Sequence, residues 1–287
     1  MSKPKYPIYI PSKDRAATSY TAKFFLDDGV DFKIVIEPGQ VKEYEKHFDK
    51  DLLLVMPKDD MKLLGSRLWI REHSIKQGHK RHWQFDDNIR SIRKVYKRKR
   101  IPCDSNKAIR LVEEFTDRYI NIGLSGFNYD TFVRNAKTPY QLNCHVYSAT
   151  LVNNEMPFKW RLYYNDDTDL CLQVLTNDLC TVLFNAFVVC KMKTMTVAGG
   201  NTKDLYKDAG RLKMARSLEE IWPDHVETKW RFNRPQHVIK NNWKQFTTPL
   251  IRRKDIDWGK IEKTDNEMKL VAVANVKSER LKKLLKD

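Results

Sequence analysis

Two short acidic clusters carry the residue types that chemistry needs. Asp86-Asp87-Asn88 follows the apolar run His82 to Phe85, and Asn165-Asp166-Asp167-Thr168-Asp169 follows Trp160 to Tyr164. Adjacent carboxylates at the end of a buried strand repel one another unless a hard cation or a hydrogen-bond network compensates them. Mg2+ or Mn2+ shared with a diphosphate would do so, because these ions take oxygen ligands. A turn opened by Asp and Asn accounts for the same triplet. In the second cluster one carboxylate could act as general base toward a hydroxyl. Asp166 or Asp167 could equally cap a helix and favour its macrodipole, and the two roles are compatible.

Seven basic residues lie between Arg90 and Arg100: Arg90, Arg93, Lys94, Lys97, Arg98, Lys99 and Arg100. A solvated helix face is the usual meaning of such a run. This one begins two residues past the acidic triplet, so with Lys76, Lys80 and Arg81 it would lie beside the site and suit contacts to DNA phosphates. The whole chain shares the bias: 53 Lys plus Arg against 37 Asp plus Glu give +16, which calls for a polyanionic partner. Tyr96, Trp230, Phe232 and Trp243 are core aromatics or platforms for an unpaired base.

Over 287 residues, 41% hydrophobic and 31% charged residues exclude a disordered, collagen-like or coiled-coil chain. The most apolar stretch, Leu170 to Cys190, is broken by Gln173, Asn177, Asp178 and Asn185, so no membrane span is expected. The start lacks the long apolar stretch of a secretory signal and is expected to be mature sequence. Cys103, Cys144, Cys171, Cys180 and Cys190 form no CxxC pair and are expected to be free thiols in a reducing compartment.

These groups need elements to hold them. Strands are expected at Pro7 to Pro11, Phe32 to Ile36, Leu52 to Met56 and His82 to Phe85, alternating with helices from Thr18 to Asp28, Val41 to Phe48 and Leu64 to Gln77. Gly29 and Gly78 would stop two of the helices. That alternation implies right-handed crossovers and a parallel sheet, with ligands beyond the carboxyl ends of the strands. Those ends carry Ser12-Lys13-Asp14-Arg15, Glu37-Pro38, Pro57-Lys58-Asp59 and Asp86-Asp87-Asn88, so one crevice would hold cations for phosphate and carboxylates for a metal. Further on, a helix is expected from Asn106 to Arg118 and strands around Leu142 to Val152, Trp160 to Tyr164 and Cys180 to Val189. An amphipathic stretch runs from Thr168 to Leu175, and the Lys-rich end from Asp265 reads as an exposed helix. No linker separates the halves.

Taken together, Tyr9 to Arg15, Gly65 to Ile70 and Trp83 to Asn88, then Asn165 to Leu170, Gly199-Gly200-Asn201, Trp222-Pro223 and Arg234-Pro235-Gln236-His237, resemble the TET-associated glycosyltransferase family of tailed phages. The resemblance runs from about residue 6 to 246. It implies an α/β, GT-A-like single domain with a Rossmann-like nucleotide-binding half (1–100) and a mixed acceptor half (101–246), followed by a basic extension (247–287). It also implies transfer of arabinose or glucose from a UDP-sugar to 5-hydroxymethylcytosine in double-stranded DNA, with inversion, in the cytoplasm of an infected host. Hydroxymethyluracil is the alternative acceptor.

By the same resemblance Ser12, Lys13 and Arg15 surround the nucleotide, Glu37 lies near its base, Arg67 binds the diphosphate, and Gly199 and Gly200 border the pocket. Asp86 and Asp87 would hold Mn2+ or Mg2+ with His237, and Asp167, beside Asp166, would take the acceptor proton. Two other classes suit the charges: a metal-dependent nuclease using Asp86, Asp87 and Asp167, and a non-catalytic DNA-binding protein.

Overall fold

The computed structural model describes residues 3–133, 137–192 and 210–264, with side chains as far as residue 261. Its first part follows the expected alternation: β1 (Ile8–Pro11), α1 (Tyr20–Asp27), β2 (Lys33–Ile36), α2 (Val41–Tyr44), β3 (Leu53–Val55), α3 (Lys62–Lys76) and β4 (Arg81–Phe85). These strands pair in parallel in the order β3-β2-β1-β4. Ile8, Ile10, Ile34, Ile36, Trp83 and Phe85 are buried in the main core, and removing that apolar surface from water supplies the driving force. Gly29 and Gly78 follow α1 and α3 at φ +62° and +77°, a region costly for side chains, and so end both helices.

The basic run is not a helix face. It forms a hairpin, β5 (Ile89–Tyr96) and β6 (Lys99–Pro102), turned by Lys97 and Arg98 at φ 45° and 64°. Pairing of β5 with β10 (Cys180–Lys191) overrides helix propensity, because Ile89, Ile92 and Val95 are buried there while Arg90, Tyr96, Lys97 and Lys99 stay exposed.

The remaining elements are α4 (Ser105–Asp117), β7 (Ile122–Tyr129), β8 (Tyr140–Leu142), β9 (Ala149–Asn153), α5 (Asp166–Leu175), α6 (Gly210–Ile221), β11 (Val226–Arg231), β12 (Arg234–Ile239) and α7 (Trp258–Thr264). Among the described residues ten strands form one sheet, β3-β2-β1-β4-β9-β7-β10-β5-β6 with β8 on β10, while β11 and β12 make a separate ribbon. The sheet is therefore mixed. Parallel pairing holds for β1 to β4 and for β7 with β10, and β9 runs antiparallel to both of its neighbours.

Three expectations change. Trp160 to Tyr164 is irregular, the stretch from Leu142 splits into β8 and β9, and β7 was not anticipated. Glycine explains the last: a Cβ on Gly126 would stand 2.3 Å from the Ala149 carbonyl oxygen, so close strand approach requires a residue that weakens the strand signal. Chain from the expected extension packs back on the sheet domain, with Ile251 N donating to Asn121 Oδ1 and Trp258 against Tyr119. The Lys-rich end from residue 265 lies outside the described residues. All five cysteines are free, and no helix among the described residues is long and apolar enough to cross a membrane.

Candidate active site

Strand ends and one helix start bring the two acidic clusters to a single place. Thr21, at the start of α1, fixes the loop after β4: its hydroxyl donates to Asp86 O and accepts from Ile89 N, and its amide donates to Asp87 O. The two aspartates then face different partners. Asp87 accepts from Ser12 Oγ at 2.8 Å and pairs with Arg15 Nη1 at 2.6 Å, both from the segment after β1. Tyr44, from α2, donates to Ser12 Oγ at 2.7 Å. Burial raises the Asp87 carboxyl above its ordinary value, only partly opposed by Arg15 and Ser12.

Asp86 turns toward Lys191 at the end of β10, 2.6 Å from its Nζ, and lies 3.7 Å from Arg67 Nη2. Lys191 also donates to Ser148 Oγ at 2.8 Å and Tyr129 OH at 3.2 Å. Burial pushes the Asp86 carboxyl up, but Lys191 and Arg67 outweigh it and hold Asp86 below the ordinary carboxylate range. Burial likewise disfavours the Lys191 charge, yet Asp86 and Tyr129 more than restore it.

Arg67 joins the clusters. It projects from α3, pairs through Nε with Asp166 Oδ2 at 2.7 Å, donates from Nη1 to Gln84 Oε1 at 3.2 Å, and lies over the Trp160 ring. Asp166 and Asp167 open α5 after Asn165, and with Asp169 they put three acids in its first turn, where the helix macrodipole favours them. Asp169, the third, is buried and accepts from Arg161 and Trp222 Nε1, which gives the Trp222-Pro223 motif a structural role.

Asp167 is the more accessible of the pair. Its Oδ2 lies 3.2 Å from His145 Nε2, its Oδ1 accepts from Thr168 N, and its side chain is 35% exposed against 12% for Asp166. Burial raises both carboxyls. For Asp166 it prevails over Arg67 and the pKa goes up, whereas His145 and the Thr168 amide pull Asp167 well below the ordinary value. His145 stacks on Trp243, with ring centroids 5.8 Å apart and planes 8° from parallel.

The expected residues Ser12, Arg15, Arg67, Asp86, Asp87, Asp166 and Asp167 thus share one connected cluster. Lys13 and Glu37 form an adjacent pair at 2.8 Å, and Glu37 also accepts from Met61 N. His237, half-buried on β12, feels the charges of Asp167 and His145 and has its pKa lowered chiefly by burial. Gly199 and Gly200 lie outside the described residues. Of the basic hairpin, Arg100 donates to Arg98 O, Asp130 O and Val133 O, and Arg90 lies over Tyr20. Lys191, His145, Tyr44 and Gln84 were not anticipated. Lys191 had one legible signal, a lysine closing a long apolar strand.

The metal expectation meets an obstacle in the donor set. All four oxygens of Asp86 and Asp87 already face Lys191, Arg67, Arg15 or Ser12. Among the described residues no three His, Cys, Asp or Glu side chains converge to hold an ion. In this arrangement the residues do not fit a divalent metal, because basic side chains stand where it would bind.

Comparison with known proteins adds what geometry alone does not. A solved structure of a protein assigned as a nucleotide-diphospho-sugar transferase from Desulfovibrio desulfuricans is 10% identical, covering 64% of this chain and 80% of its own, with a TM-score of 0.37. That likeness is too loose to argue from. No curated protein matches the chain significantly. The model of the TET-associated glycosyltransferase family matches residues 6–200, ending before the Trp222-Pro223 and Arg234 to His237 motifs. Its span takes in both acidic clusters and includes most of the chain, which decides against the nuclease and the non-catalytic binder: the protein belongs to the TET-associated glycosyltransferase family and is a glycosyltransferase.

Proposed function

We propose that the chain transfers a sugar, arabinose or glucose, from a UDP-sugar to the hydroxyl of 5-hydroxymethylcytosine in phage DNA, with inversion, inside the infected host. The observation that carries this is Asp167: ionised, one-third exposed, and joined through Asp166 and Arg67 to the cationic and acidic groups at the strand ends. The donor diphosphate would lie beyond those ends, where Arg67, Arg15 and Lys191 can exchange carboxylate partners for phosphate oxygens. Ser12, Lys13 and Glu37 border the nucleotide. The basic surface of β5–β6, with Arg90, Arg93, Lys94, Lys97, Arg98 and Lys99, grips duplex phosphates, while Arg100, bound to three backbone carbonyls, shapes the hairpin that presents them.

In the chemical step Asp167 accepts the proton of the hydroxymethyl group as its oxygen forms a bond to the anomeric carbon. The bond from that carbon to the diphosphate oxygen breaks, and its electron pair leaves on the diphosphate, where Arg67 and Lys191 stabilise the charge. Mn2+ or Mg2+, the usual aid to such departure, would have to displace Lys191 from Asp86.

The test uses duplex DNA bearing 5-hydroxymethylcytosine, a panel of UDP-sugars and nucleoside mass spectrometry. The wild-type chain is expected to add a pentose or hexose mass to the modified base. Asp167→Asn is expected to lose at least about a hundredfold in rate, the scale of general-base catalysis, with donor binding intact. Full turnover by that variant would refute Asp167 as base. Absence of transfer from every donor to either hydroxymethylated pyrimidine would refute the acceptor.

A further inference from the structure

The ribbon of β11 and β12 stands apart from the sheet, and its two faces differ. Paired positions share a face, so Val226 with Ile239, Thr228 with His237, and Trp230 with Pro235 line one side in that order. Val226 is buried against Leu172 of α5 and Leu218 of α6, and Glu219 of α6 accepts from Thr228 N. The base of the ribbon is therefore fixed to the helix that carries Asp166 and Asp167. One rung out, His237 faces the charges of Asp167 and His145. The next rung, about 7 Å further along the ribbon, holds Trp230, 72% exposed, and beyond it Phe232 is 86% exposed at the tip.

The tip is also costly. Phe232 and Asn233 form a two-residue turn between paired Arg231 and Arg234, at φ 51° and 57°. Such turns favour Asn-Gly, and a phenylalanine in the left-handed region is strained. The chain thus places the most exposed aromatic among the described residues where neither turn geometry nor burial rewards it. Arg231 and Arg234 flank it, exposed and basic. Aromatic rings beside guanidinium groups suit stacked bases flanked by phosphates.

We propose that the β11–β12 ribbon opens the DNA duplex at the target base. Phe232 enters the stack, Trp230 supports the displaced pyrimidine, Arg231 and Arg234 hold the neighbouring phosphates, and the same face leads the base toward His237 and Asp167. The proposal rests on duplex DNA being the acceptor. A base inside a helix cannot reach an enclosed site without leaving the stack, and this ribbon joins an exposed aromatic tip to the reactive carboxylate through two rungs.

The test measures binding of the full chain to a duplex with one 5-hydroxymethylcytosine beside 2-aminopurine, whose fluorescence rises on unstacking, and to the corresponding single strand. Wild type should bind the duplex with a fluorescence rise. Trp230→Ala and Phe232→Gly should bind the duplex about tenfold more weakly, the scale of one lost base-aromatic stack. Both should lose the fluorescence rise; Phe232→Gly, which removes the wedge and leaves the Trp230 platform, should bind the single strand within a few-fold of wild type. Phe232→Gly should also melt at an equal or higher temperature, because glycine relieves the turn; both side chains being exposed, misfolding is not expected. Variants matching wild type on the duplex, with wild-type binding and unstacking intact, would overturn the ribbon's role and leave the acceptor standing. Wild type binding neither DNA form would overturn both. Tip-dependent binding to phosphatidylserine vesicles with no tip-dependent binding to duplex would assign the ribbon to a membrane surface and overturn the proposal.

Discussion

Replacing His145 by Gln tests whether Asp167 is the proton acceptor. The pair is 3.2 Å apart, with side chains 29% and 35% exposed. At that distance unit charges attract by roughly 5 kcal/mol at an effective dielectric of ~20 and by roughly 1 kcal/mol in water. Partial exposure moves the pair toward the screened value, leaving about 1.5 kcal/mol, or about one pH unit at ~1.4 kcal/mol per unit. Burial opposes ionisation of Asp167 and His145 is its largest counterweight, so the substitution raises the carboxyl pKa. The assay follows the Asp167 carboxyl by carbon NMR on aspartate-labelled chain from pH 2 to 7, where His145 is protonated through the acid range, with unfolding monitored at each pH, beside glycosylation of hydroxymethylcytosine duplex at pH 7. The variant's carboxyl should titrate about one unit higher than the wild type's, and kcat/KM at pH 7, where the base stays deprotonated in both, should be kept within a few-fold. Coincident carboxyl titrations, or a loss of a hundredfold or more at pH 7, would refute the reasoning.

Two further substitutions probe the remaining geometry. Lys191→Met removes the cation 2.6 Å from Asp86; it should tighten Mn2+ binding about tenfold by calorimetry, the scale of one lost competing charge, and unchanged affinity would show that Lys191 does not guard the pair. Gly126→Ala places a Cβ 2.3 Å from Ala149 O and 2.7 Å from Val146 Cγ1; it should cost about 3 kcal/mol and lower the melting temperature by roughly 6–12 °C, and an unchanged melting temperature would show that β7 and β9 can separate without penalty.

How far the sequence reveals the site depends on whether a role is local. Asp86-Asp87-Asn88 and Asp166-Asp167 could be found because each closes an apolar run or opens a helix, and such positions leave a pattern in consecutive residues. Lys191 and His145 could not. Their partners lie 105 and 22 residues away along the chain; Lys191 carries only the mark of closing an apolar strand, which names no partner, and nothing beside His145 sets it apart from other half-buried polar residues. The same limit applies to the fold. Parallel strands β1 to β4 were legible from alternation with helices, whereas β7 was hidden by Gly123 and Gly126, whose value lies in the approach of Val174 and Ala149. The basic run shows the same limit: its composition suits a solvated helix face, and only pairing with β10, distant in sequence, makes it a hairpin.

That distant pairing sets a schedule for synthesis. The strands β5 and β6 leave the ribosome soon after Asp87, but β10, the partner that places β5 inside the sheet, follows roughly ninety residues later. At ~5–20 residues per second the hairpin waits about 5–20 s with the β5 edge open as well as that of β6. Open edges invite pairing with other nascent chains, and lysine or arginine along an edge is the common deterrent. The seven cations of residues 90–100 therefore have work before any substrate arrives: mutual repulsion keeps nascent hairpins apart until β10 closes the sheet. A weakening of that charge would appear first as lost soluble yield, even in molecules whose finished site is intact.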